Sequence, residues 1–453
     1  MPTPASTPVF DPARYAAFRF TGWRFDEATS TAALAYALDD ELHFEERIEL
    51  PAGARPLDGA RREALHRVLD LLHQVAGVSY YKTAAPSRLA VETGPLSERR
   101  ARLLTDVYVQ GLGEYAFNNE IDVAARVRFE ATPGHAPAPA PLERTGRALV
   151  PVGGGKDSVV ALETMRDSGT DVTLFSVGDA TPIAATARVA GLPRLIARRA
   201  LAPELLEANA AGALNGHVPV TAVVSLIAIA TAVLHGRDEV VLANERSASQ
   251  GNLFWGGIDV NHQWSKGLGF ERALRDTLAA EVVDGVDWFS LLRPASELGI
   301  ARAFAALPDY HPVFTSCNRA FRLDERRRSQ GWCCDCPKCR FVFLALAPWL
   351  SPAEMVAIFG EDLLADERQT ADFLALCALD AHKPFECVGE EEESAAAFRL
   401  LAADERWAGH AVVRAAAARL PEGLGDPASV LALADDHEIP ERLLPAVHAR
   451  LGA

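Results

Sequence analysis

No stretch constrains this chain more than Val150-Pro151-Val152-Gly153-Gly154-Gly155-Lys156-Asp157-Ser158. An apolar run ends in three glycines and passes at once into a helical pattern through Ser158, Val159 and Val160. Glycines let consecutive backbone N–H groups turn inward as an anion nest, and the start of the following helix adds its positive end. Three glycines in a row weaken a strand end, so the expected return is an oligophosphate ligand. The spacing is not that of a Walker A loop, which needs four residues between its glycines and then Lys-Ser or Lys-Thr.

The surroundings fit such a loop. Apolar runs at 148–152, 172–177, 194–197 and 239–243 alternate with helical patterns, which predicts an α/β fold built on a doubly wound, Rossmann-like parallel sheet. Ahead of it, short alternating runs over 18–50, broken by Gly22, Asp26, Asp39 and Asp40, predict a small antiparallel sheet. Leu65, Val68, Leu69 and Leu72 then recur at helical spacing, and a second helical pattern covers 97–114. The Pro/Ala-rich stretch 131–141 has no hydrophobic period and predicts a linker. The last hundred residues are helical in pattern at 353–359, 370–379 and 394–403, and the acidic run Glu390 to Glu393 reads as a solvated helix start. The expected division is an N-terminal α+β domain over 1–130, a linker over 131–145, the α/β domain over 146–350 and a helical C-terminal region over 351–453.

Composition excludes several classes. With 453 residues, 49% apolar and 23% charged, the chain is neither disordered nor a disulfide-stapled mini-protein. Its 61 acidic against 45 basic residues give a formal charge of -16, which argues against nucleic acid as a partner. The first dozen residues lack the features of a secretory signal, so a cytoplasmic location is expected. The uncharged stretch 218–234 contains Pro219, Thr221, Ser225 and Thr231 and falls short of a span of about 20 residues. A buried helix and no membrane partner are the expectation.

Seven cysteines include Cys333, Cys334, Cys336 and Cys339 in one cluster. Cys333-x-x-Cys336-x-x-Cys339 with Cys317 supplies four thiolates, enough for a tetrahedral structural Zn²⁺ with no open position for chemistry. Cys334 is left over, although spacing does not choose between it and Cys333, and Cys317 could instead be a reactive thiol. Arg319, Arg322, Arg326, Arg327 and Arg328 form a basic island that reads either as an anion clamp or as a solvated face paired with Asp324 and Glu325. Asn244-Glu245-Arg246-Ser247 follows a strand, so its side chains emerge at the carboxyl edge of the sheet. There Glu245, with Asp157, could hold Mg²⁺ or act as a base, or could simply sit at a helix start. Ser296 reads equally as an N-cap and as a substrate contact.

The glycine loop resembles the SGGxDS loop of the PP-loop ATP pyrophosphatases, with Gly153 where that family usually has Ser. That likeness implies cleavage between the α- and β-phosphates of ATP, with Gly153, Gly154, Gly155, Lys156, Asp157, Ser158 and Asn244 as the nucleotide site. More broadly, this loop, residues 244–247, Asn261-His262-Gln263-Trp264-Ser265-Lys266, residues 293–297, Ser316-Cys317-Asn318 and residues 332–339 resemble the ATP-dependent UDP-N-acetylmuramoyl-L-alanyl-L-glutamate epimerases. Tyr80-Tyr81-Lys82 and Cys387-Val388-Gly389-Glu390 extend the likeness over most of the chain. It implies inversion of the terminal L-glutamate of a small polyanionic, nucleotide-linked dipeptide through an acyl-adenylate, with ATP and Mg²⁺, in peptidoglycan precursor synthesis. The reaction needs a base at the glutamate Cα. Glu245, His262, Tyr310, His311 and Cys317 are candidates; His262 leads because an imidazole titrates near neutral pH, and Lys266 could neutralise the developing enolate. Two other readings stand beside this one: a PP-loop enzyme that modifies a nucleobase or tRNA, such as a tRNA thiolase or deazapurine nitrile synthase, and a non-catalytic nucleotide-binding module.

Overall fold

The computed structural model describes residues 10–53, 57–321, 329, 331–379, 383–384 and 386–452. It divides into two compact units, neither of them a single stretch of chain. The first comprises Met1–Thr145, Ile196–Glu239 and Gly251–Asp287; the second comprises Gly146–Leu195, Val240–Gln250 and Trp288–Ala453.

In the first unit the alternating runs form the expected antiparallel sheet. Ala17–Asp26 pairs antiparallel with Thr31–Leu38, which pairs with Leu42–Glu49, while Arg88–Val91 lies parallel along Ala17–Asp26. Period-two alternation buries Phe18 and Phe20 on one face, where they meet Tyr36, Tyr81 and Tyr108, and Tyr36 in turn stacks on Tyr80. Buried phenols need acceptors, and three of these have them: Tyr36 donates to the His73 carbonyl at 2.8 Å, Tyr80 to Glu46 at 2.9 Å and Tyr108 to the Gln74 carbonyl at 2.8 Å. Glu46, itself fully buried, is balanced by Arg199 at 2.7 Å. The helix Gly59–Ala76 starts at Asp58, whose carboxylate accepts the Arg61 N–H at 2.8 Å.

The uncharged stretch is the helix Val220–His235, buried along nearly its whole length and closed by Gly236 at φ +60°. No helix among the described residues is long and apolar enough to cross a membrane. The Pro/Ala-rich stretch ends in structure: Ala140 and Pro141 pair parallel with Val283 and Asp284, and Ala140 is buried.

The second unit is mixed α/β. Arg147–Pro151 lies parallel to Asp171–Val177, with Val150 opposite Leu174, and the strand order is Asp287–Ser290, Glu239–Leu242, Arg147–Pro151, Asp171–Val177. Helices Lys156–Asp167 and Thr181–Ala190 follow the two parallel strands. The C-terminal helices Pro337–Leu346, Pro352–Phe359, Glu391–Ala403 and Ala411–Ala417 share one apolar core with that sheet, in which Val150, Val160, Leu174, Phe304, Phe343, Phe398 and Trp407 are buried. The region from 351 onward therefore packs as part of the second unit's core. The acidic run does open a helix, Glu391–Ala403, but the solvated reading fails at Glu393. That side chain is buried because three donors converge on it: Ser247 Oγ at 2.7 Å, the Glu297 N–H at 2.7 Å and the Glu390 N–H at 2.7 Å.

Candidate functional site

In the second unit the strand Arg147–Pro151 leads through Val152 and the three glycines into the helix Lys156–Asp167, with Gly155 at the N-cap. Gly154 has φ +82°, and a Cβ there would come within 3.0 Å of the Pro182 backbone. A Cβ on Gly155 would come within 2.6 Å of Ser316 Oγ, whereas at Gly153 it would meet nothing within 4 Å. Two of the glycines are thus required by neighbours, and the third faces open space. Ser158 Oγ donates to the Gly155 carbonyl at 3.0 Å, and the Gly154 carbonyl accepts the Thr315 N–H at 3.0 Å. These two bonds hold the turn to the helix start and to the segment at Thr315.

Lys156 does not extend along the open side of the loop. Its ammonium is buried and bonded to Asp157 and Glu297. Burial works against the charge, but the two carboxylates more than offset it and hold this lysine above its ordinary range. Glu297 opens the helix Glu297–Ala305, whose N-cap is Ser296: its hydroxyl accepts the Gly299 N–H at 3.0 Å, as an N-cap should. Lys338 lies 3.8 Å from the other oxygen of Glu297. Burial, then the neighbouring Glu297 charge, pushes Glu393 up to about 7. Glu297, Glu393 and Lys338 escape motif reading as a group, because only the fold brings 156, 297, 338 and 393 together.

Asn244 donates to Ser290 Oγ at 3.0 Å, and Arg293, buried, donates to the Glu245 carbonyl at 2.5 Å. Glu245 precedes the short 3₁₀ turn Arg246–Ser249, and its side chain makes no cap bond there. Beside the loop lies a cavity of about 780 Å³ lined by Thr181, Pro182, Phe314, Thr315, Trp332 and Phe359, among others. Its size suits a nucleotide-sized ligand. Among the base candidates, Tyr310 is bonded to Glu163, and a ring nitrogen of His311 lies 3.3 Å from the Phe304 carbonyl.

The cysteine spacing has a definite geometry. The sulfurs of Cys317, Cys333, Cys336 and Cys339 all lie within 4.8 Å of one another, with Cys336 to Cys339 at 3.4 Å and Cys333 to Cys339 at 3.7 Å. A tetrahedral zinc with sulfur at about 2.3 Å needs sulfur–sulfur edges of about 3.8 Å, so this donor set fits. Cys334 is outside it: the residue has φ +56°, its thiol donates to the Phe359 carbonyl at 3.3 Å, and burial pushes it up to about 12. Because Cys317 follows Ser316, which packs on Gly155, the cluster anchors the segment that backs the glycine loop. Of the basic island, Arg319 pairs with Asp335 at 2.8 Å; Arg322, Arg326, Arg327 and Arg328 lie outside the described residues.

In the first unit His262 and Lys266 occupy the loop after the hairpin formed by Leu253–Trp255 and Ile258–Val260. His262 Nδ1 is bonded to Glu114, from the short helix Gly113–Asn118, and its ring lies 4.2 Å from that of His217 at 39°. Neither Glu114 nor His217 carries a motif signal. Burial pushes His217 down to about 4, with the His262 charge acting the same way. Burial acts most strongly and would raise Glu114, but the hydrogen bond from His262 and the charges of His262 and His217 together outweigh it and hold the carboxyl below its ordinary range. Lys266 Nζ donates to Gln263 Oε1 at 3.1 Å.

Fold and geometry define a mixed α/β protein with a glycine-built strand-to-helix loop and a four-thiolate cluster. Comparison with known proteins is more specific. The MurL N-terminal domain matches residues 9–291 and the MurL C-terminal domain residues 313–429. Proteins named UDP-N-acetyl-alpha-D-muramoyl-L-alanyl-L-glutamate epimerase are similar over nine-tenths or more of the chain. That of Micromonospora sp. is 50% identical over 413 residues, 90% of this chain and 92% of the relative. The Salinispora tropica protein is 49% identical over 413 residues, 90% of each chain. The Xanthomonas oryzae pv. oryzae protein is 42% identical over 446 residues, 97% of this chain and 99% of the relative. The chain belongs to the MurL family.

Proposed function

We propose that this protein inverts the terminal L-glutamate of UDP-N-acetylmuramoyl-L-alanyl-L-glutamate, supplying D-glutamate to peptidoglycan precursors, with ATP consumed to AMP and pyrophosphate. The observation that carries this is the match to the Xanthomonas relative of that name over 97% of this chain and 99% of the relative.

The chemistry explains why ATP is needed. Removing the proton beside a free carboxylate would place two negative charges on one small enediolate. If a carboxylate oxygen first attacks the α-phosphorus and pyrophosphate leaves, the mixed anhydride carries one charge less at the carbonyl and the Cα proton becomes far more acidic. Proton removal, return on the opposite face and hydrolysis of the anhydride by water then release AMP and leave the UDP-linked dipeptide with a terminal D-glutamate. In this chain residues 153–158 would cradle the phosphates, with the open side of Gly153 leaving room for them. Asp157, a quarter exposed, and Glu245 would hold Mg²⁺, which supplies charge neutralisation at the phosphates. Asn244 would stand at the sheet edge beside them. Lys156 would act through Glu297, fixing the loop. Cys317, Cys333, Cys336 and Cys339 would hold Zn²⁺ as a structural ion, which favours a ligand role for Cys317 over a reactive thiol. His262 and Lys266 remain the candidates for work at Cα.

The test is incubation with ATP, Mg²⁺ and the UDP-linked dipeptide in D₂O. AMP formation together with deuterium at the glutamate Cα is expected. AMP without deuterium would sink the epimerase reading and leave an adenylating enzyme.

A further inference from the structure

The first unit brings to His262 a carboxylate and a second imidazole, Glu114 and His217, that no motif assigns. One polar side-chain atom from each of Glu114, His217 and His262 lies within 4.8 Å of the others. They come from separate segments, and each segment is pinned. The His262 N–H donates to Asn252 Oδ1 at 3.0 Å, and the Asn252 N–H donates to the Val260 carbonyl at 2.7 Å, so the hairpin fixes the His262 backbone. Gly113, at the start of the Glu114 helix, sits against Ile258 and Val260 of the same hairpin. Gly216, next to His217, lies so close to Tyr115 that a Cβ would stand 3.1 Å from its ring.

We propose that these three residues are a proton-transfer centre: His262 exchanges the glutamate Cα proton through Nε2, while Glu114 and His217 position its ring. The inference rests on the epimerase reading above. Its argument is the hydrogen bond between Glu114 and His262 Nδ1. An ionised carboxylate can only accept, so Nδ1 carries the hydrogen, and in the neutral imidazole Nε2 then keeps the lone pair that a base requires. His217 packs on the ring at 4.2 Å, tilted by 39°, which restricts rotation about the side chain. The pair is neither sealed nor free in solvent: the side chains of His262 and Glu114 are 18% and 14% exposed. Lys266 acts electrostatically on His217 and so places a cation beside the centre, which suits a substrate carboxylate or an enolate oxygen. In the step itself the Cα–H bond breaks, its electron pair passes into the activated carbonyl as an enolate, and the proton goes to His262 Nε2. A proton delivered by solvent water to the opposite face of the enolate completes inversion, and His262 passes the proton it took to solvent, so one proton leaves Cα and one returns.

Two half-reactions separate this proposal from the reading on which it rests. Substrate-dependent ATP–pyrophosphate exchange reports activation, and deuterium wash-in at Cα in D₂O reports proton transfer. Wild-type protein that shows no substrate-dependent exchange overturns the epimerase reading. Given an active wild type, H262N is expected to slow deuterium wash-in from at least one epimer by about 100-fold or more while activation persists. E114Q is expected to lower kcat for wash-in by about 10- to 100-fold with KM within about twofold, and E114D to recover part of it. A merely structural Glu114 would not give that split. If H262N does not fold, as judged by its thermal melt, E114Q and E114D carry the comparison alone. The proposal is overturned by unchanged wash-in in H262N or E114Q, or by loss of both half-reactions together. It is also overturned by a stoichiometric transition metal, beyond any held by the thiolates, that disappears in H217N.

Discussion

Lys156 and Glu297 form an ion pair inside the second unit, with 1% and 3% of their side chains exposed. Each residue opens a helix, Lys156–Asp167 and Glu297–Ala305, so the pair ties the glycine loop to the helix start beyond the strand Asp287–Ser290. Removing Glu297 leaves the buried ammonium with Asp157 as its carboxylate partner. E297A is expected to lower the unfolding free energy by up to about 3 kcal/mol, read from the urea midpoint. The double variant K156M/E297L is expected to recover most of that loss; a double variant as weak as E297A would show that packing, not charge, accounts for it.

Glu393 gives the second unit a pH dependence. Its folded value is raised to about 7 by burial, so its contribution to stability is fully present below the unfolded carboxyl value of about 4.3 and declines as pH rises to about 7. Across that window wild type should lose up to about 3 kcal/mol relative to E393Q, which cannot ionise. Parallel urea titrations at pH 5 and pH 8 measure the difference, and a constant gap would contradict it.

The thiolate cluster predicts one tightly held metal per chain. C336S and C317S should each lose it, by elemental analysis, whereas C334S should retain it because its sulfur bonds the Phe359 carbonyl. Stripping the metal should weaken ATP binding as well as lower the melting temperature, since Ser316 packs on Gly155 next to Cys317.

Gly154 has a left-handed backbone and no room for a side chain. G154A should cost about 1–2 kcal/mol from the backbone alone and more from the contact with Pro182. G153A, which meets nothing within 4 Å, should be nearly neutral for folding and should reduce ATP affinity if phosphates occupy that side. Unfolding curves and calorimetric ATP titration of the two variants separate these effects.

Local pattern reached far in this chain. The glycine run after an apolar strand, the alternation over Phe18 and Phe20, the helix in the uncharged stretch and the Cys-x-x-Cys-x-x-Cys spacing each follow from rules that act over a few residues, so each could be read directly. Glu393 shows where such rules stop. An acidic run is normally solvated, and nothing within ten residues of it announces that Ser247 and the Glu297 backbone will donate to it in the interior.

The sequence alone determined the mixed α/β character, the glycine-rich strand-to-helix loop, the cysteine cluster and the likeness to the epimerases. Only the tertiary structure decided that Lys156 faces Glu297, that Cys334 is excluded from the sulfur cluster, and that Glu114 and His217 meet His262. The physical reason is range. Backbone propensity and ligand spacing are set between near neighbours, whereas burial and charge pairing depend on which distant segments the packed core brings together, as with Glu114 and His262, 148 positions apart in the chain.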